Sequence, residues 1–244
     1  NTNNSPFNST SEESNLVESD FNPTFSFKEK ENNRSLRFMD LIDEYNKINY
    51  NDFKKIKYDQ KYPDSIAFIG NINNIFNINL DNEDIIDIHN IIKNWNKEGD
   101  YNNLGAAQWS MFYTNMLDIL SKNNIKISDS IPEVFFIEAL RKSKKYLIKN
   151  FGRLEVLLGE LQRHVRGDIS LPVSGLIDMI APTYVVSYKN GTFRSISGES
   201  YIMLVKYSES NVEIETVLPY GNSNNPSSPH YSDQMEMYIN KKTK

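Results

Sequence analysis

Tyr184-Val185-Val186-Ser187-Tyr188-Lys189-Asn190-Gly191-Thr192-Phe193-Arg194-Ser195-Ile196 reads as a β-hairpin. Asn190 and Gly191 both tolerate positive φ and make the turn, while residues 184–188 and 192–196 make the arms. A second hairpin follows, with arms at 201–207 and 212–218 around residues 208–211. In its second arm Val212, Ile214, Thr216 and Leu218 alternate with Glu213 and Glu215, which predicts that the apolar face is buried.

Upstream of Pro182 the hydrophobic period is helical. Leu36, Phe38, Leu41, Ile42, Tyr45 and Ile48 share one face, and residues 51–58 continue as a short helix before Pro63. Asp81 and Asp84 form an N-terminal capping arrangement for a helix with the stripe Ile85, Ile88, Ile92 and Trp95. Trp109, Phe112, Tyr113, Met116, Leu117 and Leu120 make the clearest apolar stripe. Ser130-Ile131-Pro132-Glu133 then caps a helix to about residue 149, with Pro132 in its first turn. Leu154, Leu157, Leu158, Leu161 and Val165 predict a shorter helix, and the asparagine-rich tract at residues 71–79 predicts an irregular connector. Residues 1–33 are polar, with scattered Phe7, Phe21, Phe25 and Phe27, and read as loop. Helices first and antiparallel strands afterwards define an α+β chain: loop over 1–33, mainly helical over 34–165, strands and a C-terminal tract over 183–244.

A chain of 244 residues with 39% hydrophobic and 24% charged residues can bury a sizeable core. Its net charge of −5 argues against a nucleic-acid partner, and no apolar run reaches the roughly 18 residues of a membrane span. Without cysteine there is no disulfide, thiolate metal site or cysteine nucleophile. The start at Asn1, with no initiator Met and no signal-like segment, reads as a cut edge.

No nucleophile elbow, phosphate-cradling glycine loop or His-Glu-x-x-His pattern is present. The three histidines stand apart in sequence. His89 reads as a surface or edge residue of its helix, His164 as a structural hydrogen-bonding group or a polar contact near a cleft, and His230 as a pin for the C-terminal loop beside Tyr231 and Asp233. Trp95 and Trp109 read as core. The acidic clusters read as solvated faces.

The tract Gly221-Asn222-Ser223-Asn224-Asn225-Pro226-Ser227-Ser228-Pro229-His230-Tyr231-Ser232-Asp233-Gln234 resembles the C-terminal signature of penicillin acylase family hydrolases. Three other segments are similar to family stretches: Asn1-Thr2-Asn3-Asn4-Ser5-Pro6, Asn33-Arg34 with Leu41-Ile42, and Arg163 to Asp168 followed by Leu171-Pro172-Val173-Ser174-Gly175. The resemblance implies part of an αββα sandwich of the N-terminal nucleophile type, the rest lying upstream. It implies hydrolysis of a linear N-acyl amide by a serine exposed through autocatalytic cleavage of a precursor, its own α-amino group serving as base. Asn3 would give its side-chain amide to the oxyanion hole, although on local chemistry alone it is a turn residue before Pro6. Arg34 would stand near the nucleophile or the substrate carboxylate, with Arg37 as the competing position. His230, Tyr231 and Asp233 would be structural.

The resemblance implies no organic cofactor. Glu12, Glu13, Glu18 and Asp20 lie where one branch of the family places a structural calcium ligand. The expected partners are the small-molecule substrate and the upstream segments of the same precursor, and the expected location is periplasmic or secreted. The alternative is a secreted binding or scaffold protein that kept the fold after losing catalysis.

Overall fold

The computed structural model of the chain describes residues 5–7, 12–22, 24, 32–67, 69–80 and 82–244. Seven α-helices, α1 (Asn33–Asp43), α2 (Tyr50–Lys57), α3 (Ile86–Lys93), α4 (Ala106–Lys122), α5 (Glu133–Phe151), α6 (Leu158–Leu161) and α7 (Met235–Ile239), are found among the described residues. The strands are β1 (Gln162–Arg166), β2 (Ile169–Pro172), β3 (Thr183–Ser187), β4 (Phe193–Gly198), β5 (Ile202–Tyr207) and β6 (Val212–Val217). The architecture is α+β, with α1 to α6 preceding the strands and α7 following them.

The helix starts follow capping chemistry. The Asn32 side chain accepts from Ser35 N at the head of α1, and Asn49 forms a reciprocal capping box with Asp52 at the head of α2. At α3 no side chain caps the first turn, and Asp81 lies outside the described residues. Pro132 is the N-cap of α5 rather than a first-turn residue, and α5 stops at Gly152, whose φ of 73° supplies the left-handed cap. α4 and α5 pack against each other and carry the core, with Trp109, Phe112, Met116, Phe136, Leu140 and Leu147 all buried.

Two stretches depart from their sequence reading. Residues 71–79 are not a peripheral connector: a 3-10 helix spans Ile72–Phe76, and Ile72 and Ile75 are fully buried in the main core. Its asparagines are used structurally. Asn73 Oδ1 accepts from Ile66 N (2.9 Å) while its Nδ2 donates to Ile66 O (2.8 Å), and Asn71 pairs likewise with the backbone of Ile131 (2.6 and 3.3 Å). A side-chain amide offers one donor and one acceptor in the same spacing as a peptide, so each asparagine fastens a loop as a strand neighbour would. The second departure is the apolar series from Leu154 to Val165. It gives a single helical turn, α6, and then enters β1 at Gln162, because β1 is claimed by two neighbouring strands.

The larger sheet has the order β2-β1-β4-β3. β1 and β2 form an antiparallel hairpin, β3 and β4 form the expected hairpin around Asn190-Gly191, and β1 and β4 join in parallel. Asn190 and Gly191 have φ of 58° and 71°, as the turn requires. β5 and β6 make a separate two-stranded antiparallel ribbon. Its inward face reverses the expectation. Ile202, Leu204 and Val217 are buried against Tyr50, Tyr58, Met237 and Tyr238, whereas Val212 and Ile214 are 50% and 56% exposed. Glu215 belongs to the inward face, where it accepts from Tyr50 Oη (3.0 Å), Lys54 Nζ (2.5 Å) and Thr243 Oγ1. Hydrogen bonds first from Lys54, then from Thr243 and Tyr50, hold its carboxyl down at about 2. An acid that is fully paired can face inward, and pairing here overrides alternation.

Candidate functional site

The first turn of α1 is tied to the loop between β2 and β3. Asn33 is buried; its side chain pairs reciprocally with the Ala67 backbone (Oδ1 from Ala67 N at 2.6 Å, Nδ2 to Ala67 O at 3.4 Å). Asp178 answers from the loop. One carboxylate oxygen accepts from Asn33 N (2.9 Å) and Asn33 Nδ2 (3.0 Å), and the other accepts from Arg34 Nε (2.9 Å). Asp178 sits at φ 60°, a left-handed backbone that aspartate tolerates better than most residues, and this turn points the acid at α1. A carboxylate at a helix N-terminus is also favoured by the helix dipole.

The loop itself is rigidly fastened. Gly175 N donates to Gly99 O (2.7 Å), Ala181 N to Asp59 O (3.2 Å), and Tyr62 Oη to Ile177 O (2.5 Å). Gly175 must be glycine: its φ is 92°, and a Cβ there would stand 2.5 Å from Ala181 O. Arg37, one turn along from Arg34, forms a two-pronged pair with Asp59 (3.1 and 2.9 Å). That hydrogen bond first, then the Asp59 charge, raises the guanidinium pKa despite burial. The two arginines therefore grip the same loop from one helix face, Arg34 through Asp178 and Arg37 through the residue that holds Ala181.

Beside this clamp lies a cleft between α4 and β3 with a volume of about 140 Å³, walled by Tyr62, Trp109, Tyr113, Leu176 and Ile177. Trp109 and Trp95 are both buried, as their reading as core requires, with ring centroids 5.5 Å apart.

The C-terminal tract is built on the β1–β2 hairpin. The Arg166 guanidinium lies between the rings of Tyr220 and Tyr231, 4.9 and 4.3 Å from their centroids, and donates to Ser223 O (2.7 Å) and Asn224 Oδ1 (3.0 Å). His230 Nδ1 is 2.9 Å from Asp233 Oδ2 at the surface, and Gly221 packs so closely that a Cβ would meet His230 O at 2.3 Å. Gln234 closes the loop, donating from its backbone N to Tyr220 O and accepting at Oε1 from Leu218 N, both 2.9 Å.

His164 is a buried structural group: its Nε2–H donates to Pro219 O at 2.6 Å, and its ring stacks on Tyr220 at 4.3 Å. Burial first, and then the Arg166 charge, lower its pKa against the opposing carbonyl bond. His89 is not a surface residue. It is 2% exposed and donates from Nε2 to Ile75 O at 2.9 Å, because the buried 3-10 turn covers its helix face.

Asn3 lies outside the described residues. Glu12 and Glu13 fall in one 3-10 turn and Glu18 and Asp20 in another, and no group of three metal-ligating side chains is gathered among the described residues. No helix among them is long and apolar enough to cross a membrane. Sequence reading missed Asp178 and Asp59, the acids that orient the two arginines. The one signal for Asp178 was an acid set inside the apolar run Leu176-Ile177-Asp178-Met179-Ile180.

Residues 1–244 match the family model described as penicillin amidase, and the chain belongs to that family. Among solved structures it is similar to a thermostable penicillin G acylase from Alcaligenes faecalis, at 11% identity and a TM-score of 0.48, over 95% of this chain and 52% of that one. The chain thus spans about half the length of that structure.

Proposed function

We propose that this chain is part of an amidohydrolase that cleaves linear N-acyl amides with an N-terminal serine nucleophile lying upstream of these 244 residues. Membership of the penicillin amidase family supports the reaction class. The observation that carries the reading is the fixed first turn of α1, where Asn33 and Asp178 hold the Arg34 guanidinium in one orientation.

In this reading the serine attacks the acyl carbonyl, and its own α-amino group, with a pKa near 8, takes the proton. Negative charge builds on the carbonyl oxygen. The side-chain amide of Asn3 donates to that oxygen, a contribution whose loss costs on the order of 10² to 10³ in rate. Arg34 supplies a positive charge near the nucleophile or the substrate carboxylate, and Asp178 sets its orientation. The precursor is cleaved autocatalytically into chains that remain together, and the protein works in the periplasm or outside the cell. Any calcium bound near Glu12 to Asp20 is structural.

The test is release of free amine from a panel of phenylacetyl amides, long-chain acyl-homoserine lactones and acyl lipopeptides. The complete protein turns over at least one of them, and residues 1–244 expressed alone turn over none. Turnover by the isolated chain would overturn the upstream nucleophile. Inactivity of a correctly cleaved complete protein across the panel would favour a non-catalytic scaffold.

A further inference from the structure

Tyr58 Oη and Gln60 Oε1, on either side of Asp59 in sequence, are buried oxygens that meet no protein hydrogen-bonding partner. Tyr58 is the C-cap of α2. Both residues line one cavity of about 20 Å³, whose wall is completed by Ser174 and Ala181 of the β2–β3 loop, Glu199 between β4 and β5, and Lys241 beyond α7. Two contacts place the functional ends of the side chains at this wall. A Cβ on Gly175, next to Ser174, would stand 3.3 Å from Gln60 Nε2 and 2.5 Å from Ala181 O. Burial first, and then the Glu199 and Glu215 carboxylates, push the Tyr58 phenol up to about 12, so it keeps its proton.

Size and chemistry then select the occupant. A buried water needs roughly 10–15 Å³ and two to four polar partners, so the cavity admits one water and excludes a ring or an acyl chain. Tyr58 Oη has a proton to give, whereas Gln60 Oε1 can only accept. One molecule that accepts from the first and donates to the second satisfies both, which a simple ion cannot do. Lys241 at the wall opposes a cation, and Glu199 opposes an anion.

We propose that this cavity is a binding site for one water molecule, which accepts from Tyr58 Oη, donates to Gln60 Oε1 and so braces the loop that carries Asp59. That loop is the mounting of α1. Asp59 takes both prongs of Arg37, its carbonyl accepts from Ala181 N, and Gln60 O accepts from Gly99 N at 2.7 Å. The site does not depend on amide hydrolysis, and an inactive or uncleaved protein would hold the water equally.

A high-resolution crystal structure of the complete protein tests the site, and an ordered water is expected within about 3.2 Å of both oxygens. Chemical denaturation of Tyr58→Phe, Gln60→Leu and the double variant supplies a second readout. Each single change raises the unfolding constant roughly fivefold or more, and the double variant raises it by clearly less than the product, because either change alone breaks the bridge. If the two oxygens met nothing, removing the Tyr58 hydroxyl would relieve its burial and leave the protein as stable as before or more so. That result, strictly multiplicative effects, a Lys241 Nζ in the position of the water, or no density between the two oxygens would overturn the proposal. Should Gln60→Leu fail to fold, Tyr58→Phe and the parent crystal decide.

Discussion

Arg34 Nε donates to Asp178 Oδ1 at 2.9 Å, across 144 positions of chain, and both side chains remain about one-fifth exposed at 21% and 17%. The pair fixes a charge at the edge of the aromatic cleft. Because it is neither fully buried nor free, its value lies more in orientation than in stability.

Arg34→Ala in the complete protein is expected to lower kcat on the order of 10²-fold if the guanidinium faces the reacting groups. Asp178→Asn should move kcat in the same direction by less, since the neutral amide cannot align all three donors. Arg37→Ala should lower the melting temperature and leave kcat of the folded fraction within about threefold, because Arg37 holds Asp59 and the loop behind it. Equal losses of kcat at the two arginines would remove Arg34 from the site.

Asn71→Ala should destabilise the protein by about 1–3 kcal/mol, since Ile131 N and O each lose a partner. Asn71→Asp should be no better, because a carboxylate cannot donate to Ile131 O. Chemical denaturation measures both. A change below about 0.5 kcal/mol, the range of ordinary surface substitutions, would mean that the tract is peripheral after all.

Arg166→Ala should loosen the C-terminal tract far more than Asp233→Ala. Arg166 contributes two ring contacts and two hydrogen bonds, whereas Asp233 pairs with a His230 that is 66% exposed. Limited proteolysis after residue 218 and thermal melts read the difference. Both variants should keep kcat/KM of the surviving folded protein, and a loss of kcat without a loss of stability would place the tract in the active site.

The His164 dock should weaken on acidification. Its folded pKa lies below the ordinary value of 6.5, so the unfolded chain binds the extra proton first. Its contribution is fully present above about pH 6.5 and is lost as pH falls from there through the depressed folded value. His164→Gln keeps a donor for Pro219 O and cannot titrate, so its melting temperature should fall less between pH 7.5 and 5 than that of the parent. Parallel curves for the two proteins would exclude His164 as the responsible group.

The hairpin at Asn190-Gly191, the stripes of α3 and α4 and the α+β order were legible because each depends on local chemistry: positive-φ tolerance and a helical period. What the chain alone could not say was which groups would find partners far away. Glu215 faces inward only because Lys54, Tyr50 and Thr243 meet it there, and Val212 and Ile214 face outward as a consequence. Asn71 and Asn73 count as polar filler until Ile131 and Ile66 come to lie beside them. Arg34 could be singled out in sequence, but Asp178 could not, because the bond between them is made by a left-handed turn in a distant loop. The sequence by itself determined the long helices and the two later hairpins, since short-range sterics and periodicity specify those, but not the β1–β2 hairpin, whose first strand continues a helix-like apolar series. Only the tertiary structure decided which polar side chains are buried, because burying one is tolerable only when a partner from elsewhere in the fold satisfies it.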